Sequence, residues 1–394
     1  MKKLTYTLIL LCIFSGVKVN AQWQSMNGPN GSVVLSIAVK GSNIFAGTES
    51  NGIFLSSNNG VSWNAVNNGI WNPTSYNVDA LAIKDSCIFA GTQGGLYLSN
   101  NDGGNWISLN TSPFVTDVRA FVINGNNIFA GSANGGKGVY FSSDNGNSWT
   151  TKNIGLTNQT VISLIMSGSN LYAGSYNAGL YFSNNNANSW TTINTTDLPA
   201  IDIFFIVVNS NNILLGTTNG IFFSNDNGTN WISVNSGITN PVISGMLNVG
   251  NTIFVSTYGG GVFLSTNNGS NWTAVNAGLT NLTITSLIIY NGYLYAGTNG
   301  NGIWKRALSD ITGIKELDKS LSITVYPNPA SSKISLTTPI NTLIEILNIQ
   351  GQEMLHQRLQ QEKTDIDISG LLKGIYIVKL KANEKVETIK FIKN

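Results

Sequence analysis

Apolar residues along the chain fall in runs of four to six, separated by turns rich in Gly and Asn, and the runs recur in groups of four. Val34–Val39, Ile44–Thr48, Gly52–Ser56 and Trp63–Asn67 form one such group. Runs this short, rich in Val, Ile, Phe and Tyr, predict strands rather than helices. The group repeats every 40 to 43 residues, marked by Trp23, Trp63, Trp106, Trp149, Trp190, Trp231 and Trp272. Four strands per unit, seven times, predicts an all-β chain folded as a seven-bladed β-propeller. The last unit supplies Thr285–Tyr290, Tyr293–Thr298 and Gly302–Arg306 but no Trp segment after them. Trp23–Gly28 matches Trp63–Gly69 and Trp272–Gly278, so the start of the chain is expected to complete the last blade and close the ring without a free sheet edge.

Charge then divides the chain. Only 10% of the residues are charged, against 55 Asn and 42 Gly, yet residues 307–394 carry ten acidic and eleven basic side chains where residues 22–306 carry nine and seven. We therefore expect a propeller over 22–306, a linker over 307–320 and a second domain over 321–394. The net charge of +2 rests on Lys2, Lys3 and Lys18, so no nucleic-acid surface is expected. Lys2 and Lys3 precede the apolar run Leu4–Val17 and then Val19-Asn20-Ala21, the pattern of a signal peptide over residues 1–21. That run falls short of the roughly 20 residues that span a bilayer, so no transmembrane anchor is expected. Leu11 before Cys12 argues against lipidation. Cys87 is then the one remaining cysteine, read as a buried strand thiol. Nothing signals a phosphate loop, a His/Cys metal cluster or a Ser–His pair, so no metal or cofactor is expected, and the chain is expected to act as a monomer.

Six turns carry the pattern S-x-D/N-x-G-x-x-W. Their marked residues are Ser56, Asn58, Gly60 and Trp63; Ser99, Asn101, Gly103 and Trp106; Ser142, Asp144, Gly146 and Trp149; Ser183, Asn185 and Trp190, with Ala187 in place of Gly; Ser224, Asp226, Gly228 and Trp231; and Ser265, Asn267, Gly269 and Trp272. The Asp or Asn accepts from turn amides, Gly supplies a positive φ, and the Trp buries its ring beside the turn. These turns resemble the Asp boxes of the BNR and sialidase-like propellers. Because the motif recurs around the ring, we read it as structural. A sialidase would need three arginines on the substrate carboxylate, and this propeller has two, Arg119 and Arg306, with one glutamate, Glu49.

Successive turns of a blade alternate between faces, so the boxes share one face with the turns between first and second strands. The opposite, open face gathers Glu49, Trp71, Tyr76, Asp79, Asp117, Arg119, Lys137, Tyr176, Asp202 and Tyr258 around the channel. Irregular side chains on a regular scaffold mark a candidate binding face, with Trp71, Tyr76, Tyr176 and Tyr258 as stacking platforms for a glycan or a protein. No catalytic residue is assigned. A carboxylate pair among Asp79, Asp117 and Asp202 is the minimum that a glycoside hydrolase would need, and the bland alternative is that Asp79 pairs with Arg119. A structural or assembly scaffold is the third reading.

The second domain reads as short alternating strands, Ser322–Val325, Lys333–Leu336, Leu343–Ile349, Ile375–Leu380 and Val386–Ile392, which predict a small Ig-like antiparallel sandwich. Val325-Tyr326-Pro327-Asn328-Pro329-Ala330, Ile346-Leu347-Asn348-Ile349-Gln350-Gly351, Ile368–Lys379 and Lys390-Phe391-Ile392-Lys393 occur in that order. Together they resemble the C-terminal sorting domain of the type IX (Por) secretion system of Bacteroidota. The resemblance implies export after a Sec signal, with the translocon and a sortase-like peptidase as partners and the cell surface or the medium as destination.

Overall fold

The computed structural model describes residues 22–109, 117–133, 137–195, 198, 202–312, 325–337, 342–348, 352–361, 363–382 and 385–394. The expected signal peptide over 1–21, residues 313–320 of the expected linker, residues 321–324 at the start of the expected second domain and residues 349–351 of the sorting-domain motif lie outside them. The chain divides into two compact units, 1–314 and 315–394.

Among the described residues of the first unit, the strands form seven antiparallel groups of four, five of them separate sheets, while the last and first join through pairing of Asn30 with Asn301 and Val33 with Asn299 into one eight-stranded sheet. Blade 1 pairs Asn30–Lys40, Asn43–Thr48, Ile53–Ser56 and Asn64–Ala65 in sequence order. Blades 2 to 7 begin with Val78–Lys84, Val118–Asn124, Val161–Ser167, Phe205–Asn209, Ile243–Val249 and Ile284–Tyr290. These first strands contact one another in an unbroken ring, the seventh against the first. In blade 7 the fourth strand is Gln24–Ser25, which pairs Gln24 with Lys305 and Ser25 with Trp304. The two ends of the propeller thus meet in one sheet without a disulfide. Leu308 is buried and Ile311 packs against the same cluster, so residues 307–312 belong to the propeller.

The core is not central. It consists of seven apolar layers, each shared by two consecutive blades, such as Phe45 and Ile53 against Val78, Ile88, Ala90 and Trp106. Each layer ends at a Trp whose indole N–H crosses to the preceding blade. Trp106 Nε1 donates to the Val66 carbonyl at 2.7 Å, Trp190 to Lys152 at 2.9 Å, Trp231 to Asn194 at 2.8 Å and Trp272 to Val234 at 2.7 Å. Trp63 reaches Met26 and Trp23 reaches Val275, both at 2.7 Å, which carries the pattern through the closure. Trp149 Nε1 donates to the Gly146 carbonyl of its own turn at 3.0 Å. The approach is close: a Cβ on Gly69, at φ +92°, would lie 2.1 Å from the Trp106 carbonyl oxygen.

The Asn content has a second structural use. Asn67 Oδ1 accepts from Ile53 N at 2.7 Å while its Nδ2 donates to Asn51 O at 3.1 Å. Asn153 and Asn276 make the same two-sided clamp, and Asn235 its accepting half. Each holds the start of a third strand against the fourth, in the spacing W-x-x-x-N.

The second unit is a two-sheet sandwich around Ile334, Leu336, Ile344, Ile346, Ile366, Val378, Leu380 and Phe391. One sheet orders Val325–Tyr326, Lys333–Thr337 and Lys363–Asp367; the other orders Glu353–Arg358, Leu343–Asn348, Gly374–Ala382 and Lys385–Lys393. Glu353–Arg358 and Lys363–Asp367 are additions to the strands expected from sequence. Their Glu, Lys, Arg and Asp residues hide the apolar alternation, because both run at sheet edges.

Trp106→Phe keeps the ring but leaves the Val66 carbonyl without its donor, and should cost about 1–2 kcal/mol. Trp106→Ala, which also opens a cavity, should cost roughly 3–5 kcal/mol. Urea midpoints measure both, and an unchanged midpoint in either variant would contradict the stapling role.

Candidate functional site

The repeated turns are closed systems. In the first, Ser56 Oγ donates to Asn58 Oδ1 at 2.9 Å, Gly60 N donates to Ser56 Oγ at 2.8 Å, and Ser62 N donates to Asn58 Oδ1 at 3.0 Å. The other five repeat this circuit. Ala187 keeps it at φ +60°, its N–H 3.0 Å from Ser183 Oγ. Where the acid is present, hydrogen bonds from the turn hold it ionised. Asp144 is lowered to about 2, chiefly by Ser148, and Asp226 to about 2, chiefly by Asn230. Their acceptor capacity is spent on the turn.

On the open face, β-bulges aim the side chains. Six of the seven first strands slip register at one place, leaving Leu35, Asp79, Arg119, Ile162, Ser244 and Thr285 as the extra residues. A bulge re-aims its side chain out of the ladder. Asp79 and Arg119 therefore occupy the same position in adjacent blades.

Arg119 does not take Asp79 as its main partner. Its Nε donates to Asp117 Oδ1 at 2.8 Å and its Nη2 to Asp117 Oδ2 at 3.2 Å, a two-pronged pair inside one chain segment. Asp117, at φ +56°, is 1% exposed. Asp79 Oδ2 stands 4.0 Å from Arg119 Nε and is a buried oxygen without a hydrogen-bond partner. Burial pushes the Asp79 carboxyl up to about 6 against the pull of Arg119; Asp117 and Glu49 add to the rise, and a hydrogen bond with Gln93 opposes it. For Arg119, burial works downward, but the Asp117 bond and the charges of Asp79, Asp117 and Tyr176 raise it overall.

The remaining open-face residues separate. Trp71 is 84% exposed, Tyr258 47% and Tyr176 37%. Tyr176 stacks edge-on against Phe204 with centroids 5.6 Å apart, and the Tyr258 hydroxyl accepts from Asn299 at 2.9 Å. Tyr76 is not a free platform, since it packs against the core layer between blades 1 and 2. Asp202 accepts from Asn177 N at 2.8 Å and so holds a turn. Lys137 is exposed, and its carbonyl serves the Asn153 clamp. Arg306 lies at the junction of blades 6 and 7, donating to the Val275 carbonyl at 3.0 Å. Cys87 is half-buried rather than buried. Gln93 and Asn299 were not singled out from sequence. Both follow the A-G-T segment, in the column that also holds Glu49, Tyr176 and Tyr258.

With this geometry in hand, comparison with known proteins adds family and fold. Residues 324–394 match the secretion system C-terminal sorting domain family, and residues 77–240 match the DUF6242 β-propeller domain family. The chain thus joins a β-propeller to a sorting tail, and that tail directs it through type IX secretion to the cell surface or beyond. Among solved structures, it is similar to PorZ, a surface component of the type IX secretion system of Porphyromonas gingivalis, at 17% identity and TM-score 0.57, covering 93% of this chain and 60% of PorZ. The extracellular domain of BT3049 from B. thetaiotaomicron aligns at 15% identity and TM-score 0.60, covering 95% of this chain and 58% of that one. YCF48 bound to D1 peptide aligns at 13% identity and TM-score 0.58, covering 72% of this chain and 96% of YCF48. At these identities the likeness is one of fold. No curated protein matches the chain. Among the described residues no helix is long and apolar enough to cross a membrane.

Asp79 offers a test of the site's electrostatics. Its folded pKa of about 6 lies above the ordinary 3.8, so the folded state binds the proton more tightly and loses stability as pH rises between those values. Asp79→Asn should therefore stabilise the protein by on the order of 2 kcal/mol above pH 6, with the gain fading toward pH 4. Denaturation at pH 4 and pH 8 measures it. Destabilisation at pH 8 would mean that the ionised carboxylate is net favourable.

Proposed function

We propose that the propeller is a non-catalytic binding module, carried outside the cell by its tail, whose ligand docks on the face opposite the box turns. The carrying observation is the exposure on that face of Trp71, in a blade link, and of Tyr176 and Tyr258, in turns between second and third strands. Rings of this kind offer large contact area with few torsions to freeze. The polar Asp79–Arg119–Asp117 group shares their face, its arginine already neutralised by Asp117. A glycan or a protein surface suits this combination. PorZ, a secretion-system component, and YCF48, solved with a peptide, are similar propellers and support a protein ligand within that range.

The second reading, a glycoside hydrolase, is favoured by one observation. Asp79 has the raised pKa of a general acid, and Asp117 lies across Arg119 from it. Against this, Asp117 is buried and gripped by two guanidinium bonds and Asp202 holds a turn, so among the three aspartates Asp79 has no free carboxylate partner. The resemblance of the box turns to the BNR type extends to fold, and nothing in the turns supplies chemistry.

Two experiments test these readings. A glycan array and a pull-down from the cell envelope, run with the chain and with Trp71→Ala and Tyr258→Ala, should show a ligand whose binding falls at least tenfold in each variant. Full retention in both would exclude the aromatic face. Deleting residues 321–394 should strand the propeller in the periplasm, read by cell fractionation, whereas continued surface display would refute export by the tail. Removal of the tail by a sortase-like peptidase belongs to the same proposal, and a mature surface form shorter by the tail is its expected sign.

A further inference from the structure

On the box face, the junction of blades 5 and 6 holds a cleft of about 340 Å³ lined by Asn209, Ser210, Asn212, Asn251, Thr266 and Asn268. The repeat gives this cleft an internal comparison. Aligned on the second strands and the boxes, Asn209, Asn212, Asn251 and Asn268 correspond to Lys40, Asn43, Ser86 and Asp102 at the junction of blades 1 and 2. There the protein fills the space itself. Lys40 Nζ donates to Asp102 Oδ1 at 2.8 Å and to the Ser86 carbonyl at 3.2 Å, and Asn43 Nδ2 lies 3.5 Å from Asp102 Oδ2. At the junction of blades 5 and 6 both charged residues are replaced by Asn, and the shorter side chains leave the socket open. Among the described residues, none of these four amides makes a side-chain hydrogen bond.

A second feature converges on the same place. Ser210 adopts φ +54° at a hairpin position that Gly41, Gly125, Gly168 and Gly250 occupy in four other blades at φ 55° to 61°. Serine pays a conformational cost there that glycine avoids, and it brings a hydroxyl to the cleft.

We propose that this cleft is a subsite for one neutral, polyhydroxylated ring, such as a pyranose unit of a glycan. Each Asn presents a donor and an acceptor side by side, and Ser210 and Thr266 add hydroxyls that do both, which matches the alternation around adjacent sugar hydroxyls. A charged ligand would meet no opposite charge among the lining residues and would lose hydration without return. The walls carry no aromatic ring, so a single unit binds weakly. The site lies on the face opposite the docking surface proposed above and does not depend on it.

The test titrates the purified chain with methyl β-glycosides of glucose, galactose and N-acetylglucosamine, followed by saturation-transfer NMR. At least one should bind saturably with Kd on the order of 1–10 mM. The double variant Asn209→Lys with Asn268→Asp rebuilds the ion pair that the protein already accommodates at blades 1 and 2, and should weaken binding at least tenfold. Thr266→Arg, at an exposed position, should do the same by obstruction. No saturable binding by any of the three glycosides, or binding that survives both blocking variants, would overturn the proposal.

Discussion

The bond from a repeat-marking tryptophan indole to a carbonyl of the blade before it, made by six of these residues, is the contact on which the rest of the ring depends. An isolated four-stranded blade has two apolar faces and no core of its own. The core exists only as layers between neighbours, and at six of the seven junctions the indole N–H fixes how far one blade turns against the next. Because Trp23 and Trp63 carry the same bond through the junctions around blade 7, the chain closes by the interaction that builds it. Nothing in that scheme needs a charged side chain, and so the propeller can be almost neutral.

This neutrality shapes what the two faces can do. On the box face, Asn replaces Asp in four of six turns without loss of the local circuit, and at the opposite ends of the third strands Asn clamps pin the turns. At one junction the same economy leaves an amide-lined cleft where another junction has an ion pair. On the open face, the few charges largely consume one another: Arg119 is held by Asp117, Asp202 holds a turn, and Asp79 is left partly protonated near pH 6. Glu49 and Lys137 stay exposed there, beside the aromatic surface of Trp71, Tyr176 and Tyr258.

Much of this was legible in the sequence. The Trp period revealed the blades because a ring that fills a junction must recur at every junction. The Ser-to-Trp turns were readable because their hydrogen bonds are local. The candidate face was legible as a set, since the turns alternate by topology. Four features escaped it. Arg119 takes Asp117 rather than Asp79, because Asp117 enters the strand at positive φ and the bulge turns Arg119 back toward it, a geometry no spacing rule contains. Tyr76 looked like a platform, but a short helical turn at Pro73–Tyr76 folds it against the core. The W-x-x-x-N clamp could have been found, since Asn67, Asn153, Asn235 and Asn276 stand at one spacing, but abundant Asn elsewhere masked it. In the tail, the charged side chains of the edge strands Glu353–Arg358 and Lys363–Asp367 hide their apolar alternation.

The central claim is that the open face, not the box face, meets the partner of the displayed protein. Oxidative footprinting of the chain on intact cells, with the purified chain as reference, tests it most directly. The account predicts protection concentrated at Trp71, Tyr176 and Tyr258, with Trp63 and Trp231 beside the box turns unchanged. Protection confined to Trp63 and Trp231, or none at the three open-face aromatics, would contradict it.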